Sequence, residues 1–170
     1  MNLVFDLSGR LCWFLAVIAR LLIGLLVVLV VTDVAVRNAG LRPLAWAVNT
    51  SEFFLLYITF FAMPWLIRQK GHVFVVFLRI VLPDAARRVL SKVVYLGCIG
   101  LCLYLGWVAL NSLILAVERG TYEMRTFDIP KWAVFSPMVL AFFLSALEWL
   151  RYLLGHDDFY DSDPVETGGR

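Results

Sequence analysis

Residues 11–36 read LCWFLAVIARLLIGLLVVLVVTDVAV, a run broken by one base, Arg20, and one acid, Asp33. An α-helix rises about 1.5 Å per residue and satisfies its own backbone hydrogen bonds, so about 20 apolar residues cross the ~30 Å hydrocarbon layer of a membrane. This run exceeds that length and reads as a transmembrane helix. Outward from it lie three more apolar stretches, over about 50–67, 93–117 and 132–153. The second is the shortest, carried by Phe53, Phe54, Leu55, Leu56, Tyr57, Ile58, Phe60 and Phe61, and it ends at Trp65, an aromatic suited to a membrane interface. The composition is 62% hydrophobic and 16% charged, with a mean hydropathy of +0.84, which leaves too little polar surface to clothe a soluble globule. The fold class is therefore an all-α integral membrane protein with four transmembrane helices, forming a single domain over residues 1–155. Met1–Arg10 followed by an apolar run imitates a signal peptide. The run is too long and lacks a well-placed small-residue cleavage site, so the first span is expected to be retained.

Lysine and arginine resist translocation and set orientation. The loop after the second span holds Arg68, Lys70, Arg79, Arg87, Arg88 and Lys92. With the N terminus inside, the inner side carries nine bases, including Arg10, Arg151 and Arg170. The outer side carries five: Arg37, Arg42, Arg119, Arg125 and Lys131. Both termini are thus expected in the cytoplasm. Within the basic loop, Phe74, Val75, Phe77, Leu78 and Val81 form an apolar run too short to span, broken by Arg79 and stopped by Pro83. It suits an interfacial amphipathic helix over about 73–90, with its bases toward phospholipid head groups. Residues 156–170 contain Asp157, Asp158, Asp161, Asp163 and Glu166, and are expected to form an acidic, disordered cytoplasmic tail.

Charged residues in or beside a span are functional candidates by default. Arg20 lies near the inner boundary of the first helix if about 20 residues are counted back from Asp33–Arg37, which is within snorkelling reach. Glu148 lies at similar depth in the fourth span. The two are expected to pair between helices, with an i, i+3 contact between Glu148 and Arg151 as the local alternative. Glu52, after Asn49, Thr50 and Ser51, reads as the first turn of the second helix, where oxygens accept free N–H groups and a carboxylate suits the helix dipole. Residues 39–48, around Pro43, read as a loop or short helix in the outer interface. Cys98 and Cys102 stand at i, i+4 with no second ligand pair beside them. They read, with Cys12, Gly97, Gly100 and Gly106, as small packing residues. His72 and His156 lie beyond their spans, too shallow for axial haem ligands. No phosphate loop, zinc-protease helix or nucleophile elbow occurs, so neither an enzyme nor a bound cofactor is expected, and no nucleic-acid partner.

Several motifs are similar to those of a known family. The first span ends in Val36-Arg37-Asn38, Trp46 precedes Thr50-Ser51-Glu52, and the second span is followed by Arg68-Gln69-Lys70-Gly71-His72-Val73 and Leu82-Pro83. Ile129-Pro130-Lys131-Trp132 then opens the fourth span, with Pro137 behind it. In this order they resemble the small (DctQ-type) membrane subunit of tripartite ATP-independent periplasmic (TRAP) transporters. Where the family often carries Asp four residues after the His, this chain has Val76. The resemblance implies a small permease subunit of the bacterial inner membrane, bound to a large multi-span permease subunit that moves sodium ions and substrate. It also implies a periplasmic solute-binding protein that delivers an organic acid, commonly a carboxylate or sialic acid. Membrane lipids are the remaining partner. Interface candidates are then Arg20, Arg37, Glu52, His72, Arg79, Pro130, Trp132 and Glu148, while the outer-loop bases either dock the binding protein or form a solvated loop face. Two other readings stay open on the residues alone: an anchor for a redox or other enzyme complex, and a small independent channel, which would require a polar stripe along a span.

Overall fold

In a computed structural model of the chain, residues 2–40, 42, 44–69, 84–123 and 128–154 are described. Helix α1 runs Asn2–Asn38, α2 Ala45–Arg68, α3 Asp84–Arg119 and α4 Lys131–Leu153, with two short strands, β1 (Tyr122–Glu123) and β2 (Ile129–Pro130), between the last two helices. All four helices are long and apolar enough to cross a membrane. The all-α membrane architecture expected from the sequence is what the chain adopts.

The helices sit mainly as a row. α1 packs on α2, α2 on α4 and α4 on α3, while α1 reaches α4 only lightly. α4 is the most buried of the four. On α1 the residues turned inward are Cys12, Leu15, Ala19, Leu22, Leu26, Leu29, Asp33 and Val36, while most of the positions between them, Val27, Val28, Val30 and Val31 among them, are exposed. That three-and-four spacing follows one narrow stripe of a helix and suits the shallow crossing of left-handed helix pairs. α3 uses a similar stripe, Tyr95, Cys102, Gly106, Ala109 and Ala116. Its small residues let α4 come close: a Cβ added to Gly106 would lie 3.4 Å from Phe142 Cβ. Gly97 and Gly100 face open space instead, so of the three glycines read as packing residues only Gly106 lies against α4.

Two boundaries differ from the sequence reading. α2 begins at Ala45, so Glu52 stands two turns inside the helix and is exposed. Thr50 and Ser51 do not cap it; their hydroxyls donate back to the carbonyls of Trp46 and Ala47, at 2.9 and 2.8 Å, as mid-helix hydroxyls do. α3 begins at Asp84, so Asp84–Leu90, the last part of the expected interfacial helix, belongs to the third helix; the rest of that segment, His72 and Arg79 included, lies outside the described residues. α1 and α3 end in glycines at positive φ, Gly40 (72°) and Gly120 (55°), a conformation that costs glycine little. After Gly120 the antiparallel pair Tyr122–Pro130 and Glu123–Ile129 turns the chain back, and the Lys131 N–H donates to the Thr121 carbonyl at 3.0 Å. Pro130, at φ −65° and ψ 132°, is the residue before the first turn of α4 and fixes the entry angle of that helix.

Candidate functional site: a buried charge cluster and two staples

One end of the row carries Ser8, Cys12, Arg68, Glu148 and Arg151. Glu148 is fully buried on α4, and a carboxylate removed from water is tolerated only when it is paired and hydrogen-bonded. Its Oε1 accepts from Arg68 Nη1 at 3.1 Å and from Ser8 Oγ at 2.9 Å, with the Cys12 thiol at 3.8 Å. Its Oε2 lies 3.7 Å from Arg151 Nη1. The Ser8 hydroxyl shares its proton with the Phe5 carbonyl, 3.0 Å away, and Arg68 Nη1 also reaches that carbonyl at 3.2 Å. Three helices therefore converge on a single carboxylate.

Two local features make the convergence feasible. Arg68 is the last residue of α2, where a cation is favoured by the helix dipole. To reach Glu148 its guanidinium crosses α1 at Gly9, and a Cβ at that position would overlap the guanidinium carbon and both terminal nitrogens. Gly9 is thus the gap through which the cation passes. Beneath the pair, the Tyr152 hydroxyl sits 3.0 Å from both the Ile67 and the Arg68 carbonyls, the groups a helix C-terminus leaves without partners. The Tyr152 ring stacks under the Arg151 guanidinium at 5.0 Å and joins Tyr95 and Trp149 in an aromatic cluster with Ile67, Cys102 and Ala146.

The interhelical pair expected between Arg20 and Glu148 does not form. Arg20 is exposed on α1, and Glu148 takes its interhelical cation from α2 instead; the i, i+3 contact to Arg151 is also present. The sequence offers Arg68 as a base of the cytoplasmic loop and as the first residue of a family-like motif, not as the partner of Glu148. Its position three residues after Trp65, at the end of an apolar run, was the available signal.

A second staple joins α2 to α4 within the apolar zone. Pro137 has no N–H, so the Ala133 carbonyl one turn earlier loses its helical partner. The Tyr57 hydroxyl from α2 donates to that carbonyl at 2.7 Å, with Ser136 Oγ further off at 3.3 Å. Pro137 was read as a family feature; here it creates the acceptor that α2 uses.

At the opposite end, Asp33 closes the α1–α2 hairpin. Its Oδ1 accepts from the Leu44 N–H at 3.2 Å, at the N-terminal end of α2 where negative charge is favoured, and its Oδ2 pairs with Arg37 at 2.7 Å. Arg37 is thus spent partly on Asp33. Lys131 lies 3.8 Å from Glu123, and both are substantially exposed. Trp132 is half-exposed at the start of α4, and Glu52 lines an open cleft of about 280 Å³ with Phe53, Glu123, Lys131 and Phe135. The structure does not bring Arg20, Arg37, Glu52, Pro130, Trp132 and Glu148 into one site. Glu148 lies at one end, Arg37, Glu52, Pro130 and Trp132 toward the other, and Arg20 midway along α1.

No curated protein and no solved structure matches the chain. A family model described as "Tripartite ATP-independent periplasmic transporters, DctQ component" matches residues 26–156, which is more than half of the sequence. In that family's general architecture the component works with a large permease and a periplasmic binding protein and is not itself an enzyme. With four apolar helices and this match, the chain belongs to the DctQ family, the small permease component of TRAP transporters.

Proposed function

We propose that this chain is a scaffold: it braces the large permease subunit in the membrane while that subunit carries sodium ions together with an organic acid delivered by the binding protein. The observation that carries this reading is how the polar groups within the helices are used. Ser8 and Arg68 both donate to Glu148 Oε1, Tyr57 satisfies the carbonyl released by Pro137, and Asp33 accepts from the start of α2. A transporter that binds ions and a carboxylate itself needs such groups turned toward a midplane site. Here they hold helices in register. The row also leaves wide apolar faces, including Leu21, Val28 and Val31 on α1 and Leu101, Tyr104 and Trp107 on α3, for lipid or a larger neighbour to cover.

We read both termini as cytoplasmic in a bacterial inner membrane: an even number of apolar helices supports a shared side, and the excess of bases in the second loop supports the cytoplasm. The test is gentle purification of the tagged full chain from its native membrane, followed by mass spectrometry. Stoichiometric recovery of a much larger multi-span protein, and sodium-dependent organic-acid uptake that is lost when this chain is deleted, are the expected results. Recovery alone, or with a redox enzyme, would overturn the reading.

A further inference from the structure

At the Glu148 end, α1 and α2 enclose an open notch of about 410 Å³ lined by Asp6, Gly9, Arg10, Trp13, Trp65 and Arg68. Its residues have a mirrored order. α1 supplies Arg10 and, three residues further into the span, Trp13; α2, running the other way, supplies Trp65 and, three residues later at its end, Arg68. Residues three apart share a helix face. Each wall thus carries an arginine at the rim and an indole about one turn deeper, the order of a membrane interface from head groups to acyl chains.

The cations are placed to take an anion. Arg10 is exposed and makes no ion pair among the described residues. The bonds of Arg68 to Glu148 and to Phe5 both leave from Nη1, its side chain is 24% exposed, and it lines the notch. Glu148 is matched in addition by Arg151, so the notch itself counts two arginines against Asp6. We propose that this notch binds the phosphate of an anionic phospholipid. Arg10 and Arg68 donate to its oxygens, Trp13 and Trp65 flank the glycerol region, and Asp6 accepts from a head-group hydroxyl. The site depends on the antiparallel pairing of α1 with α2 and on membrane insertion, and not on which larger subunit this chain accompanies.

The test is native mass spectrometry of the full chain released from micelles doped separately with phosphatidylglycerol, phosphatidylcholine or diacylglycerol, with inorganic phosphate as a competitor. Phosphatidylglycerol should be retained about fivefold or more over the other two, and Arg10→Gln should remove about that factor. Arg10 takes no part in the Glu148 cluster, so its replacement leaves the fold intact. Trp13→Leu should lower retention independently. Equal retention of phosphatidylcholine, or retention indifferent to both substitutions, would overturn the proposal. Displacement of lipid by millimolar inorganic phosphate would show a site for a soluble anion and would also overturn it.

Discussion

Replacing Glu148 by Gln keeps the shape of the side chain and one acceptor oxygen but removes the charge that Arg68 and Arg151 face. Removing one partner from a fully buried pair costs about 3–5 kcal/mol, because the other charge is left buried. Here Arg68 and Arg151 keep 24% and 11% side-chain exposure, so both can turn partly toward water. That relief lowers the expected loss to about 2–3 kcal/mol. The assay is unfolding of the purified chain in dodecylmaltoside with increasing SDS, followed by tryptophan fluorescence, to which the neighbouring Trp149 contributes. Arg68→Gln should cost less alone, and the double variant should recover about 1–2 kcal/mol relative to the sum, as coupled partners do. Arg20→Gln should stay within about 0.5 kcal/mol of the parent. Strict additivity of the Arg68 and Glu148 variants, or an Arg20→Gln effect equal to that of Glu148→Gln, would refute the assignment of Arg68 as the partner.

Other tests address the remaining contacts. Tyr57→Phe should cost about 0.6 kcal/mol and no more than about 1.7, the mean and maximum found for interhelical hydrogen bonds in a membrane protein; in a Pro137→Ala background the restored N–H serves the Ala133 carbonyl, so the Tyr57 effect should nearly vanish in the same assay. Gly9→Ala should displace the Arg68 guanidinium and cost no more than Arg68→Gln, whereas Gly24→Ala, with open space around it, should be neutral or slightly stabilising by helix propensity. Asp33→Ala should loosen the hairpin by about 1 kcal/mol and raise hydrogen exchange at the Leu44 amide, while Asp33→Asn should retain part of the bond.

The spans were legible because hydrophobic length is a local property, written into each segment. The partner of Glu148 was not, because it depends on helix order and rotation. Sequence counting puts Arg20 and Glu148 at one depth, but Glu148 sits level with Ser8 and Cys12, about 12–18 Å along α1 from Arg20, and α1 also turns the stripe of Cys12, Leu15, Ala19 and Leu22 inward. Position 20 sits about 100° around the helix from Ala19 and so faces outward. The small residues Ala16 and Ala19 marked that inward face in advance. The start of α2 was misplaced for a different reason: the polar trio Asn49-Thr50-Ser51 imitates a cap, whereas Pro43, two residues before Ala45, was the truer start signal. The Tyr57–Ala133 bond needs both a proline on one helix and a hydroxyl on another, and no single-segment pattern contains it.

Arg68 and Glu148 lie 80 residues apart in the chain. At about 5–20 residues per second, α4 is synthesised some 4–16 s after α2. During that interval the α1–α2 hairpin presents a guanidinium at the membrane surface with its buried counter-charge not yet made. The last helix therefore brings the carboxylate on which Arg68 of α2 and Ser8 of α1 converge. A chain truncated before α4 keeps three apolar helices but leaves the Arg68 guanidinium without its buried carboxylate.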